Sequence, residues 1–336
     1  MNPSKIEKLD SLDSRVPDWM PFPLKKRGCP FCEEYSDPLF LRPDNLPVSQ
    51  CLQCRCFYVS VSLDAGALKA FYDRYWTDTC PRPLTDEMAS YLKATAGKRA
   101  AADHCLLKLG GLSGTWKNRK TLDVGCGFGE KSTMMSALGA LVIGLDIADD
   151  AVNFMNEKLK IEAYHTVIEE FEGSKDFFDI VTMFEFVEHP LDPLRSLEVA
   201  VDKMKPGGLL AIVTPNGTAG DKGMFPVHDE WIGFQVDLEH MQYLHAETID
   251  YLAHKLRCRI VHLEQLGFRA IEDISGPAKG VPTTGSQKFR RCVKSIPGVR
   301  SIVYALRDLQ RRWHAAGIPS HDAGIYHLFA VLQKIE

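Results

Sequence analysis

Hydrophobic positions recur along the chain in two rhythms. From Lys120 onward, short runs of consecutive apolar residues alternate with amphipathic stretches in which apolar side chains return every three or four positions. Such runs suit strands covered on both faces and the intervening stretches suit crossover helices, which predicts repeated βαβ units in a mainly parallel sheet. Strands are expected over Thr121–Val124, Leu141–Leu145, Ala163–Val167, Phe178–Phe184, Leu209–Thr214 and Arg259–Glu264, with Ile325–Leu332 as the last. Helices are expected over Lys131–Leu138, 149–160, Asp192–Met204 and Ala246–Leu256. Ahead of the sheet, Leu68, Phe71, Tyr72, Tyr75 and Trp76 keep helical spacing over Ala65–Trp76, and a second helix is expected over Asp86–Leu109, stopped by Gly110 and Gly111. Residues 1–27 show little periodicity and read as a surface tail ending in Lys25, Lys26 and Arg27.

The length of 336 residues suits one large domain with appendages, or two domains. A formal net charge of −4 gives no global electrostatic reason to expect nucleic acid as a partner. The sequence has no apolar stretch long enough to span a bilayer and no signal-peptide core at its start, so a cytoplasmic chain without a transmembrane segment is expected.

Ten cysteines in such a compartment call for metal, chemistry or burial rather than a disulfide framework. Half of them fall between Cys29 and Cys56, as Cys29-Pro-Phe-Cys32, Cys51-Leu-Gln-Cys54 and Cys56. Two knuckles at this separation suit tetrahedral Zn²⁺ on Cys29, Cys32, Cys51 and Cys54, with Cys56 packed inside. A closed four-thiolate site leaves no position for a reactant, so its expected role is structural. Cys80, Cys105, Cys126, Cys258 and Cys292 read as small buried hydrophobes.

The first strand runs into Asp123-Val-Gly125-Cys-Gly127-Phe-Gly129-Glu130, where glycines let the backbone turn sharply and approach a ligand at the amino end of the next helix. Glu130 stands where a dinucleotide fingerprint has glycine or alanine, and Asp123 would repel a phosphate, so a phosphate-free cationic ligand fits better. The second strand ends at Asp146, placed to accept ribose hydroxyls, while Asp149 and Asp150 start the following helix. With the Phe178-Asp179 strand and the Lys205-Pro-Gly-Gly208 turn before the fifth, these motifs resemble the class I S-adenosylmethionine-dependent methyltransferases over roughly 120–268, in their ubiquinone-type and sugar small-molecule branch. The resemblance implies an α/β fold, a Rossmann-like sheet with helices on both faces, here with a small N-terminal zinc ribbon added. It implies S-adenosylmethionine as cofactor, held by Asp123, Gly125, Cys126, Gly127, Gly129, Asp146, Ile147, Phe184 and Glu169 (or Glu170). It also makes Tyr72, Tyr75 and Trp76 candidates for the site wall.

A hydroxyl acceptor must lose a proton, and His240, His189 and His228 are the candidate bases, in that order. The spacing Glu185-x-x-Glu188-His189 resembles ubiquinone-type enzymes in which these residues bind a divalent ion, so Mg²⁺ is a second metal candidate. The expected acceptor is a small molecule, a hydroxyl of a sugar, glycoconjugate or secondary metabolite. Basic residues in the insertion at 270–324, Arg307, Arg311 and Arg312 among them, leave a phosphate-bearing acceptor or a peripheral membrane contact open. The alternative is an RNA or protein substrate gripped by ribbon and insertion; against RNA stand the ribbon's acids Glu33, Glu34, Asp37 and Asp44. The expected division is a tail at 1–27, a ribbon at 28–60, a helical lid or linker at 61–117 and the catalytic domain at 118–336.

Overall fold

The computed structural model describes residues 25–62, 65–73, 75–76, 82–224, 228–234, 238–266 and 326–335. The tail up to residue 24 and the basic insertion at 270–324 lie outside the described residues. The central element is a seven-stranded sheet built from β6 (Lys120–Val124), β7 (Leu141–Asp146), β8 (Glu162–His165), β9 (Phe178–Phe184), β10 (Met204–Pro215), β12 (Cys258–Leu266) and β13 (His327–Lys334). Its order is β12-β13-β10-β9-β6-β7-β8. The pairs from β10 through β8 are parallel, and β13 alone runs antiparallel to both its neighbours. The chain moves outward from β6 to β7 and β8, then returns to β9 on the other side of β6. That reversal opens a crevice at the carboxyl end of β6, where α/β sheets of this kind bind ligands.

The alternation along the strands divides the core. Leu210 and Ile212 of β10 face one layer with Leu122, Val181 and Leu328, while Leu209, Ala211 and Val213 face the other with Ile180, Phe329 and Val331. Both layers are buried, which is why the strands read as unbroken apolar runs. β10 begins five residues earlier than the pattern suggests, because Pro206, Gly207 and Gly208 form an irregularity within the strand between Met204 and Leu209.

The helix expected over Asp86–Leu109 is two helices, Asp86–Ala100 and His104–Ser113. Asp103 breaks it by accepting from the Leu106 amide as an N-cap, while pairing with Lys131. The Gly110–Gly111 pair does not end the second helix. A Cβ at Gly110 would meet the Trp116 indole nitrogen at 2.5 Å, so this glycine makes room for the ring, whose N–H donates to the Leu106 carbonyl.

The cysteine-rich segment is joined to the sheet domain by backbone pairing. β2 (Pro38–Leu41), β3 (Pro47–Gln50) and β4 (Phe57–Val59) form an antiparallel sheet completed by β11 (Gln242–Tyr243), which comes from the long connection after β10. Lys25 and Lys26 (β1) pair with Val61 and Ser62 (β5), so the end of the expected tail belongs to this unit. Cys29, Cys51, Cys54 and Cys56 share a buried cluster with Leu244, Ile249 and Leu252.

Asp221 adds a polar tie. Its carboxylate accepts from Gln50 Nε2 at 2.8 Å, from Arg55 at 3.2 Å and from His245 Nε2 at 2.9 Å. Burial alone would raise the Asp221 pKa, but the hydrogen bonds from His245 and Gln50 and the charges of His245 and Arg55 bring it down to about 2. A folded pKa below the unfolded one contributes stability above the unfolded value, lost as pH falls through the folded one. Asp221→Asn is therefore expected to lower the unfolding free energy at pH 7 by about 1–2 kcal/mol, a figure reduced for solvent screening. The urea-unfolding difference from wild type should shrink between pH 4 and pH 2; a difference independent of pH would contradict the assignment.

Candidate active site

The loop after β6 takes its shape from three glycines with φ of +71° (Gly125), +52° (Gly127) and +83° (Gly129), a region that residues with a Cβ rarely adopt. Space is limiting as well. A Cβ at Gly125 would meet the Phe186 ring at 2.6 Å, and one at Gly127 would meet Trp76 at 3.0 Å. The loop thus passes between two aromatic side chains before entering the helix Glu130–Ala137, whose first turn has no side-chain cap.

Asp146, at the end of β7, binds this loop. One carboxylate oxygen accepts from the Gly127 amide at 2.7 Å and the other from the Ala148 amide at 2.8 Å. Burial pushes its pKa up, against the pull of those backbone donors. Asp123 lies underneath the loop, 2% exposed, its two oxygens accepting from Ser132 and Thr182 and so tying β6 to β9 and to the helix. Cys126 is buried against β7 at Gly144, where a Cβ would meet its sulfur at 2.7 Å. Gly144 thus helps to shape the site, and its signal in the sequence is a lone glycine inside an apolar strand.

Beyond β9 the backbone turns at Glu185, φ +51°, into the segment carrying Glu188 and His189. Glu188 is fully buried and accepts from Thr214 Oγ1 at 2.9 Å. The Tyr72 hydroxyl and His189 Nδ1 share a hydrogen bond of 2.8 Å, and the His189 ring lies 4.8 Å from that of His240. Burial first, then the charges of Glu239, Glu188 and Asp146 with the neighbouring Tyr75, pushes the Tyr72 phenol well above its usual range. Tyr72, Tyr75, Trp76 and Phe128 follow one another at centroid distances of 4.9–5.4 Å, an aromatic wall running from the glycine loop to His189.

The structure gathers some of the sequence-predicted residues and separates others. Donor atoms of Glu188, His189 and His240 lie within 4.8 Å of one another. Glu185, expected beside Glu188 and His189 as a divalent-ion ligand, has its carboxylate 3.6 Å from His327 instead. The positive φ at Glu185 is where the chain changes direction. His228 hydrogen-bonds the Gly220 carbonyl and packs on Phe40 and Phe57, beside the ribbon. Glu169 is exposed and accepts from Ser196, and Glu170 is exposed. The Ile147 carbonyl meets His165 Nε2 at 3.0 Å, and Phe184 is half-buried beneath Lys131.

At the ribbon, the sulfurs of Cys29, Cys32, Cys51 and Cys54 all lie within 4.8 Å of one another, with Cys29–Cys54 at 3.5 Å and Cys32–Cys51 at 3.2 Å. A tetrahedral ion with bonds of about 2.3 Å needs sulfurs about 3.8 Å apart, so the residues present fit one. Cys56 is buried outside this set, near the carbonyls of Phe57 and Tyr243.

Gly144→Ala is expected to destabilise the fold by about 1–3 kcal/mol through overpacking against Cys126. Adding Cys126→Ala should recover at least about half of that loss in the double-mutant cycle. Strict additivity of the two changes in urea denaturation would show that Gly144 does not seat the loop.

Comparison with known proteins points to one family. A family profile described as "Methyltransferase domain" matches residues 85–263. Ubiquinone biosynthesis O-methyltransferases are among the similar proteins. That of Cereibacter sphaeroides is 36% identical over 118 residues, 34% of this chain and 48% of the relative. That of Ruegeria pomeroyi is 38% identical over 102 residues, 29% and 41%. The chain spans about half the length of the curated relatives it matches. Among solved structures, an S-adenosylmethionine-dependent methyltransferase from Archaeoglobus fulgidus aligns with a TM-score of 0.44 at 22% identity, covering 73% of this chain and 99% of that one. With the profile spanning more than half its length and a sheet of the strand order described above, the chain belongs to the methyltransferase-domain family, in its class I S-adenosylmethionine-dependent branch.

Proposed function

We propose that the protein moves a methyl group from S-adenosylmethionine to a hydroxyl of a small-molecule acceptor, in the class of sugars, glycoconjugates and secondary metabolites. The observation that carries this reading is the aromatic wall Tyr72–Trp76, which joins the glycine loop to the His189–His240 pair. The names of the similar O-methyltransferases support oxygen as the atom methylated. A ribbon packed into the catalytic core favours a small acceptor over RNA or protein, since it adds to the site rather than extending a separate grip.

Bound at the loop, the cofactor supplies an electrophilic methyl on a sulfonium, whose departure needs no proton. What this chain must do is hold, orient and deprotonate. Gly125, Gly127 and Gly129 present backbone at close range, and Asp146 offers its carboxylate for ribose hydroxyls while keeping Gly127 in place. His189 is turned by Tyr72 at Nδ1, and its Nε2 faces Glu188 Oε1 at 3.8 Å, which favours an orienting role for this ring. Proton uptake from the acceptor hydroxyl then falls to His240. The four cysteines of the ribbon read as ligands of Zn²⁺, whose binding would supply folding energy to a segment too small to bury a core of its own.

Asp146→Ala is expected to weaken binding of the product S-adenosylhomocysteine at least about tenfold, about 1.4 kcal/mol, in isothermal calorimetry. Unchanged affinity in a folded variant would overturn the placement of the cofactor.

A further inference from the structure

The ribbon is tied to the two segments that build the acceptor side. Arg42 has a fully buried side chain paired with Asp44 at 2.6 Å. Its guanidinium donates to the carbonyls of Leu238 at 2.7 Å and of His240, and to the Tyr243 hydroxyl at 3.0 Å. A planar fork can bridge three acceptors and a carboxylate at once; an ammonium cannot. Next to it, the Val59 amide donates to the Met241 carbonyl at 2.8 Å, continuing the β4–β11 pairing. Arg27 reaches the Leu191 carbonyl at 2.7 Å and Gln242 Oε1 at 3.1 Å. Gln242 in turn donates to the carbonyls of Val187 and Pro190. The segments 187–191 and 238–243, which carry Glu188, His189 and His240, are bonded to each other directly through Gln242 and the Met241 amide, and are thereby also held to the ribbon through Arg27 and Arg42.

The thiols stand at the root of this arrangement. Cys51 and Cys54 lie in the turn between β3 and β4, and the Cys54 carbonyl accepts from Thr248 Oγ1 at 2.8 Å, on the helix that follows β11. A metal closing Cys29, Cys32, Cys51 and Cys54 fixes the turn from which β4 departs, and β4 fixes β11. The tethers from Arg27, Arg42 and Val59 end on the segments 187–191 and 238–243.

We propose that the metal-bound ribbon is a positioning device for His240, with Arg42 as the positioning residue, so that occupancy of the four-cysteine site sets the place of that histidine while leaving cofactor binding intact. The proposal rests on the reading of His240 as the proton acceptor, but its physical content, the coupling of ribbon to ring, is measurable without an acceptor substrate.

The test uses the full chain labelled with ¹⁵N-histidine, with the His240 ring signals assigned by their loss in His240→Gln. Metal analysis of protein purified under reducing conditions should return one zinc per chain. Arg42→Lys should keep that metal and keep S-adenosylhomocysteine affinity within about twofold in calorimetry, yet move the His240 ring resonances. Chelation of the zinc should move them too. Absence of metal, or His240 signals unmoved in metal-loaded Arg42→Lys, overturns the proposal. Should Arg42→Lys fail to fold, Tyr243→Phe, which removes one acceptor of the same guanidinium, decides in its place by the same criterion. Should chelation unfold the whole chain, the variant spectra decide alone. Loss of S-adenosylhomocysteine binding in the unmodified protein would instead sink the methyltransferase reading, and the ring spectra would still judge the coupling.

Discussion

The backbone at Gly125–Gly127 has to pass through a gap between Phe186 and Trp76 that is too narrow for a Cβ, and the rest of the site is arranged around that passage. Gly144 gives the loop a floor on β7, Asp146 holds it by an amide, and Asp123 braces it from below through Ser132 and Thr182. A Cβ at Gly125, Gly127 or Gly144 would meet Phe186, Trp76 or Cys126 at 2.6–3.0 Å, so each glycine keeps the loop between its wall and its floor. Fixed in this way, the loop lies at the switch point of the sheet, where strand order reverses and a ligand can enter.

The acceptor half is built on a different principle. Its proposed parts come from Tyr72, Tyr75 and Trp76, from the turn after β9 and from the connection after β10. The ribbon ties the connection down by adding its sheet to β11 and by burying Arg42 among carbonyls of the connection. Buried charge is costly unless paired and fully hydrogen-bonded, and Arg42 meets both conditions through Asp44, Leu238, His240 and Tyr243. A group held so completely specifies one arrangement of the segment it touches.

What the sequence made legible was local. Apolar runs located the strands of the sheet within a few residues, since strands buried on both faces leave an unmistakable pattern. The glycine loop, Asp146 and the two cysteine knuckles were visible because their chemistry is confined to short spacings. The misses share a physical cause, contact between residues far apart in the chain. Nothing near Asp103 signals that Lys131 and an N-cap would split a helix there, and nothing near Gln242 signals a strand partner at Tyr58. His240 joins Glu188 and His189 in the place expected for Glu185 because the connection folds back over the end of β9. Asp123 was legible as important, but its partners Ser132 and Thr182, which turn it toward the interior, were not.

The proposed function requires one continuous site running from the glycine loop along the aromatic wall to the His189–His240 pair. Determining the structure with S-adenosylhomocysteine bound tests it most directly. Ribose hydroxyls are expected on Asp146, with the sulfur opening toward Tyr72, His189 and His240. A nucleoside bound away from Asp146, or a sulfur separated from those rings by folded protein, would contradict it.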